Sequence, residues 1–353
     1  MRYIKFFEAI NESLEQSMRK DPKIILMGLG VTDPKGIFGT TLNLINKFGK
    51  KKVIETPTSE NAITGIAIGL AIEGFKPILS HQRVEFSLLS MEQIINQAAK
   101  WHFMSAGEKN VPIVIRLIIG KGWGQGPQHS QGLEVLFSHI PGLKVVSPSN
   151  ANDAKGMLNS SIKDKNPIIF YEHRWLHNTY SHVPKKHFYT PIGKAKIVKK
   201  GNHITVVSFS YAILEVLKCL KILKSFKINI ELIDLRTLRP LDHKTIINSV
   251  KKTGRLLVID NSWTTYGISA EIISLVVENI GMKLKNSPKR LGVKNVSIPS
   301  SKEIAKYCYL NPVKIIKTIS EITKISIDLS RIEKNIMNQK NSDIPYSDFK
   351  GPF

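Results

Sequence analysis

Lys52-Val53-Ile54-Glu55-Thr56-Pro57-Thr58-Ser59-Glu60-Asn61 runs without a break into Ala62-Ile63-Thr64-Gly65-Ile66-Ala67-Ile68-Gly69. A strand-like run thus meets an apolar, small-residue helix, with a carboxylate at the junction. Burying an unpaired charge is costly, so Glu60 needs a reason to be there. One reason is electrostatic: a first-turn Glu behind a Ser or Thr cap, favoured by the helix dipole. The other is a bound ligand whose polar atom meets the carboxylate. These residues alone leave both open.

Outward from this junction the pattern repeats. Phe6, Ile10, Leu14 and Met18 predict a helix over 5–20, and Ile24-Ile25-Leu26-Met27 reads as a buried strand ending at Gly28. Residues 32–49 read as a Gly-rich loop leading into a short helix closed by Gly49. Pro77-Ile78-Leu79-Ser80 is a strand, and 85–106 is expected to be one helix with Ile94, Ile95, Ala98 and Ala99 inward. Further strands are Val111–Arg116, Lys144–Ser147 and Ile168–Tyr171, with a helix over 151–163. Strands alternating with helices predict an α/β fold with a parallel, doubly wound sheet. After a Pro- and Gly-bearing linker the alternation restarts, with strands at 204–207, 228–233 and 256–259 and helices at 211–225, 242–251 and 267–281. The expected organisation is a domain over 1–180, a linker over 181–195, a smaller α/β domain over 196–325 and a polar tail over 326–353.

The chain has 353 residues, long enough for two domains with cores of their own. Its hydrophobic content of 42% and charged content of 22% are those of a soluble globular protein. No run approaches the roughly 18 apolar residues of a membrane span. The first residues lack an apolar core of signal-peptide length, so the expected location is cytoplasmic and no membrane partner is expected. The formal charge of +23 raises the question of nucleic acid. However, 41 of the 51 basic residues are Lys, scattered singly or in pairs. Arginine forks interleaved with aromatic platforms are missing, so no nucleic-acid partner is expected.

Chemistry-bearing residues are few. Gly120, Gly122, Gly124 and Gly126 form a glycine-spaced loop after the 111–116 strand, where parallel sheets place ligands. Its spacing fits neither a dinucleotide fingerprint nor a Walker loop. His129 leaves this loop as either a proton shuttle or a hydrogen-bonded loop histidine. His173 and His177 have the i, i+4 spacing of a zinc pair without the surrounding frame, which favours a strand exit. Cys219 and Cys308 read as buried thiols, not a disulfide or metal pair.

Several of these stretches converge on one family. Met27-Gly28 with Phe38-Gly39-Thr40-Thr41, Thr56–Glu60, Gln93–Lys100, Gln128-His129-Ser130-Gln131, Pro141–Pro148, Asp153–Gly156 and Asp234–Pro240 carry the resemblance. Over nearly all of residues 1–325 the chain resembles the β subunit of the thiamine-diphosphate-dependent E1 component of 2-oxoacid dehydrogenase complexes, of pyruvate, branched-chain and acetoin types. The resemblance implies two doubly wound domains, a transketolase-like pyrimidine-binding domain and a smaller transketolase C-terminal-like domain. It also implies oxidative decarboxylation of a 2-oxoacid, by default pyruvate, with acyl transfer to lipoyl groups.

The same resemblance implies roles for individual residues. Glu60 would hydrogen-bond the aminopyrimidine of thiamine diphosphate and favour its imino tautomer, whose nitrogen takes the thiazolium C2 proton. A carboxyl in an apolar pocket has the raised proton affinity that suits this task. Phe86 would stack on the pyrimidine, and His129 would assist substrate handling and acyl transfer. Ile113, Ser161, Ile162, Asp164 and Asn166 match a structural potassium site with oxygen ligands. The chain has no Gly-Asp dipeptide of the kind that opens the family's Mg²⁺–diphosphate site. An α subunit would supply that half, in an α2β2 heterotetramer that also engages a lipoyl acyltransferase, E2. Two departures bear on specificity: Leu29 stands where the family commonly has an acidic residue, and Ser80–Glu85 differs from the pyruvate and branched-chain types. A split-chain thiamine-dependent transferase and a catalytically inactive scaffold are the alternatives.

Overall fold

The structure is a computed structural model that describes residues 2–122 and 124–328. The chain opens with β1 (Tyr3–Lys5) and α1 (Phe6–Lys20), whose Phe6, Ile10, Leu14 and Met18 are all buried at helical spacing. Next come β2 (Ile24–Gly28), α2 (Leu44–Phe48), β3 (Val53–Glu55), α3 (Glu60–Ile72), β4 (Lys76–His81) and α4 (Trp101–Met104). They are followed by β5 (Val114–Ile119), α5 (Glu134–Ser138), β6 (Lys144–Val146), α6 (Ala151–Lys163), β7 (Ile168–His173) and β8 (Tyr180–His182). The second half holds β9 (Lys196–Lys199), β10 (Ile204–Ser208), α7 (Ala212–Ser225), β11 (Ile230–Asp234) and β12 (Thr237–Arg239). It continues with α8 (His243–Thr253), β13 (Leu256–Trp263), α9 (Ile268–Ile280), β14 (Lys289–Val293), α10 (Lys302–Ala305) and α11 (Pro312–Thr323).

Among the described residues the first sheet has seven strands in the order β12-β6-β7-β5-β4-β2-β3. All neighbours run parallel except β12, which is antiparallel to β6. The chain starts at β2, steps outward to β3, then returns to β4 on the other side. The order therefore reverses between β2 and β4, and the crevice beyond their carboxyl ends is where such sheets take ligands. The second sheet, β14-β13-β10-β11-β9, repeats the device: β10 steps to β11 and returns to β13. Both strand pairs at these reversals are buried along their length, as strands covered on both faces must be.

Three expectations change in the structure. The helix expected over 85–106 is broken into a 3-10 stretch over Val84–Ser90, a wide π turn over Gln93–Ala98 and α4. Ser87 and Ser90 turn their hydroxyls back onto the carbonyls of Val84 and Ser87, and the amide of Ala99 reaches the carbonyl of Ile94, five residues back. The linker region is crossed: β12, from beyond residue 195, completes the edge of the first sheet. One apolar cluster accordingly runs through both halves, uniting Leu117, Phe137 and Leu143 with Phe209, Leu235 and Leu256. Of the tail expected from residue 326, Ile327 is buried against the α7–α11 face, and residues 329–353 lie outside the described residues.

Candidate active site

The crevice at the first strand reversal is lined by Gly28 and Leu29 at the end of β2, Thr56, Pro57 and Glu60 after β3, and Ser80–Gln82 at the end of β4 with Phe86 beyond it. Backbone contact sets its floor. A Cβ on Gly28 would sit 2.3 Å from the Ser80 carbonyl oxygen, at a φ of +151° that L side chains rarely adopt. Glu55 fixes the loop above β2 by accepting from the amides of Gly30 and Thr32 and from the Thr32 hydroxyl. Gln82 bridges to the other wall, its Nε2 donating to the Leu29 carbonyl at 3.1 Å.

Glu60 is the first residue of α3 and is half-buried. The Ser cap expected before it is not formed: Ser59 makes no side-chain bond to the helix amides. Among the described residues no protein donor engages the Glu60 carboxylate, although the helix N-terminus favours a negative charge there. His81 lies on the opposite wall with its Nε2 unpartnered, and burial pushes its imidazole down to about 4. It is a neutral imidazole at physiological pH. By itself the crevice encloses about 20 Å³, room for about one water molecule, so it is one wall of a site.

Gln82 and Phe86 also line a second, larger cleft of about 440 Å³ with Asp33, Lys35, Phe38, Arg83, Gln125 and His129. The Phe86 and His129 rings meet edge to face, 5.9 Å between centroids. Glu85 lies behind His129, its Oε2 4.0 Å from the imidazole Nδ1. Neither atom has another hydrogen-bond partner, while Glu85 Oε1 accepts from the Gln131 amide. Burial pushes the Glu85 carboxyl up to about 7, against the pull of backbone hydrogen bonds and Arg83. A carboxyl raised toward neutrality beside an imidazole can hold and pass a proton.

Beneath the crevice a buried network braces the strand ends. Arg116 on β5 donates from Nε and Nη2 to the two oxygens of Glu172 on β7, at 2.6 and 3.0 Å. Nη1 donates to Ser80 Oγ on β4, and Nη2 donates a second time, to Thr40 Oγ1. Burial alone would raise the Glu172 carboxyl, but the Arg116 guanidinium outweighs it and holds the group near 2.

The structure thus joins Glu60 to Phe86 and Phe86 to His129. It places the potassium set elsewhere: Ser161 and Ile162 in the last turn of α6, and Asp164 and Asn166 just after it, lie at the opposite, amino end of the strands, where the Ile113 carbonyl accepts from the Ile168 amide. Asp164 Oδ2 pairs with Lys144 at 2.6 Å and Oδ1 accepts twice from Asn166. His173 and His177 do not face each other as metal ligands. His173 accepts from the Trp175 amide and stacks on Tyr211, while His177, neutral because burial lowers it to about 4, lies 3.4 Å from Glu172. Among the described residues no cluster of three or more His, Cys, Asp or Glu is arranged to hold a metal ion. Cys219 and Cys308 are buried free thiols. Also among the described residues, no helix is long and apolar enough to cross a membrane. Sequence reasoning assigned no role to His81, Arg83 or Glu85, although the unusual composition of Ser80–Glu85 marked the place.

Comparison with known proteins accounts for this arrangement. The transketolase pyrimidine-binding domain family matches residues 2–178, and the transketolase C-terminal domain family matches residues 193–315. The chain is 39% identical over 325 residues to the pyruvate dehydrogenase E1 component subunit beta of Acholeplasma laidlawii, covering 92% of this chain and 99% of that protein. It is 37% identical to that of Rickettsia bellii, covering 90% and 98%, and 38% identical to the mitochondrial one of Mus musculus, covering 84% of each. A solved split gene transketolase, described as an inactive beta4 tetramer, superposes with a TM-score of 0.74 over 92% of this chain and 99% of that one; at 16% identity it speaks to the fold. A crevice at the first strand reversal, with a carboxylate opening the helix beside it, sits inside the pyrimidine-binding half of this pattern. The chain belongs to the β-subunit family of the pyruvate dehydrogenase-type E1 component, a transketolase-like, thiamine-diphosphate enzyme family.

Proposed function

We propose that this chain is the pyrimidine-side half of a 2-oxoacid dehydrogenase E1 active site, completed by an α subunit in an α2β2 assembly. The carrying observation is the unpartnered carboxylate of Glu60 facing the Gly28–Phe86 crevice. A carboxylate acceptor, an aromatic edge and a side-chain-free backbone at Gly28 lining the crevice fit an aminopyrimidine. One open wall is what a cofactor held between two chains requires. The α subunit would carry Mg²⁺ and the diphosphate, for which this chain has no Gly-Asp motif. When bound, thiamine diphosphate supplies the carbon nucleophile and the electron sink for decarboxylation.

In this reading Glu60 holds the pyrimidine by accepting, or sharing, a proton at a ring nitrogen. Phe86 packs against the pyrimidine and excludes water from that face. His129, backed by Glu85, moves a proton at the substrate side, and Gln82 keeps the two walls together. The overall activity is oxidative decarboxylation of a 2-oxoacid with acyl transfer to the lipoyl group of an E2 acyltransferase. Pyruvate is the reference substrate because the relatives are named for it. A cytoplasmic setting, in which the two buried cysteines stay reduced, goes with this reading.

A structural potassium ion is the weaker part of the proposal. Lys144 and Asn166 already occupy the Asp164 carboxylate, so the ion would rest mainly on the Asn166 side-chain oxygen and on main-chain oxygens of Ile113, Ser161 and Ile162. The reading is tested by co-expressing the chain with its α subunit and measuring CO2 release from a panel of 2-oxoacids with ferricyanide as acceptor. Thiamine-dependent release supports it. Thiamine binding with turnover of ketoses alone would favour the split transferase, and no thiamine binding would leave the inactive scaffold.

A further inference from the structure

The wall of the larger cleft carries an arrangement that pyruvate chemistry does not need. Phe38 meets two guanidiniums over its ring: the Arg83 carbon lies 4.9 Å from its ring centroid and the Arg174 carbon 4.7 Å. Both arginines are buried, at 8% and 5% exposure. Phe38 holds its place from a left-handed backbone conformation, φ +50°, which costs energy in a non-glycine residue. Arg83 spends one nitrogen on the adjacent Gln82 carbonyl at 3.2 Å. Among the described residues its Nε and Nη2 reach no acceptor, and no carboxylate lies within ion-pair distance.

The surroundings do not neutralise it. Glu85, the nearest buried carboxyl, is pushed toward its neutral form by burial and turns its Oε1 to the Gln131 amide. Asp33 and Lys35, both exposed on the rim, offset each other. Gln125, on the same wall, has both amide atoms buried without partners. A largely buried guanidinium with two donors open to the cleft, beside an amide whose own atoms are buried without partners, is a ready receptor for an anion. Ring stacking on Phe38 orients the planar fork but supplies no acceptor.

We propose that Arg83, with Gln125, forms a subsite for a second, distal anionic group of the substrate, a carboxylate or a phosphate, reached from the reaction centre past Phe86 and His129. The assignment rests on the E1 reading and narrows it: the substrate is a 2-oxoacid with a charged far end. It also gives a purpose to the unusual Ser80–Glu85 stretch, since Arg83 is its only cation.

The test uses the chain co-expressed with its α subunit, loaded with thiamine diphosphate and Mg²⁺. kcat/KM is measured by ferricyanide reduction for 2-oxoglutarate and 3-phosphonopyruvate against 2-oxobutyrate and pyruvate. The expected result is a preference of at least about 30-fold for one of the doubly charged substrates, the scale of a charge-assisted hydrogen-bonded pair. Which of the two is preferred separates carboxylate from phosphate. Arg83→Met should bring that ratio close to unity, and Arg83→Lys, which keeps charge without the fork, should restore part of it. A wild-type preference for the singly charged acids, or an equal loss on both classes in Arg83→Met, overturns the subsite. Titration calorimetry of succinate and of inorganic phosphate onto the same pair gives a readout independent of turnover. Binding of either probe that is lost in Arg83→Met and regained in Arg83→Lys upholds the subsite even if no 2-oxoacid is decarboxylated, which would sink the E1 reading alone. Equal binding by wild type and Arg83→Met overturns the subsite.

Discussion

The two halves of the chain contain the same topological device and use it in opposite ways. In each, a central strand steps outward and returns, which leaves a crevice beyond the strand ends. Beyond β2 and β4 the crevice is open, and its polar groups are idle: Glu60, His81 Nε2 and the cleft next to Phe86. Beyond β10 and β13 the chain walls it with its own Gly132–Leu136 from the first half, around a cavity of about 170 Å³. There the groups bind each other. Ser262 Oγ donates to the Gly132 carbonyl at 2.5 Å, the Asp260 carboxylate accepts from Ser262 and Ser269, and Asn261 ties Phe209 to Ala212. A strand reversal is thus only an opportunity for a ligand. Whether the chain spends its own groups on the crevice decides its use.

The largest effect should come from the open crevice. Glu60→Gln keeps size and helix start but removes the charge, so thiamine-dependent decarboxylation should fall by about 10³-fold, within the range of acid–base catalysis. Assembly with the α subunit and thermal midpoint should be unchanged. Exchange of the cofactor C2 proton, followed by NMR after acid quench, checks the assignment; wild-type exchange would remove Glu60 from the chemistry. Beneath the same crevice, the satisfied network predicts the opposite split. Glu172→Leu leaves Arg116 buried and unpaired, at a cost of about 3–5 kcal/mol in denaturant unfolding. Adding Arg116→Met to Glu172→Leu should recover much of that loss. If the double variant is no better than the single, the network does more than neutralise charge.

The second crevice contains one misfit, Glu134, whose two oxygens are buried without partners in a cavity of about 170 Å³ beside Asp260. Burial first, then Asp260, pushes its carboxyl up to about 7, while Lys121 pulls the other way. A carboxyl raised above its unfolded value of 4.5 contributes its full stability below that pH, and the contribution is lost as pH rises through about 7. Glu134→Gln should therefore gain on the wild type by about 2–3 kcal/mol between pH 5 and pH 8, in paired denaturant titrations. A parallel pH dependence in the two proteins would mean that the carboxylate finds a partner when ionised.

The sequence made some of this contrast legible and hid the rest, for physical reasons. Apolar runs such as Ile24–Met27 and Ile168–Tyr171, and the helix over 151–163, carry local signals and are found where they were expected. Glu60 was conspicuous because a charge opening an apolar helix conflicts with its neighbours. Phe86 and His129 had no such local conflict, and only their surrounding motifs singled them out. The pairing of Thr237–Arg239 with β6 links residues some ninety positions apart, and nothing in either segment announces it. The same holds for the Phe38, Arg83 and Arg174 stack, which three separate loops build. The helix expected over 85–106 failed on serines whose hydroxyls compete for backbone carbonyls, a tendency that period counting does not see.

The smallest test addresses the hydrogen bond that ties the wall of the second crevice to β13. Ser262 is partly exposed, and its hydroxyl makes a single described bond, to the Gly132 carbonyl. That bond lies between Gly132 of the first half and β13 of the second, where a Cβ on Gly132 would already sit 2.9 Å from the Ser262 Cβ. Ser262→Ala deletes the hydroxyl without adding bulk, so it should cost about 1 kcal/mol, the net worth of one hydrogen bond. Amide exchange should rise locally at residues 132–136, with α3 and the Glu60 crevice unaffected. If exchange rises in both crevices together, the shared apolar cluster couples them, and the crevice that satisfies its own groups is a brace for the one that does not.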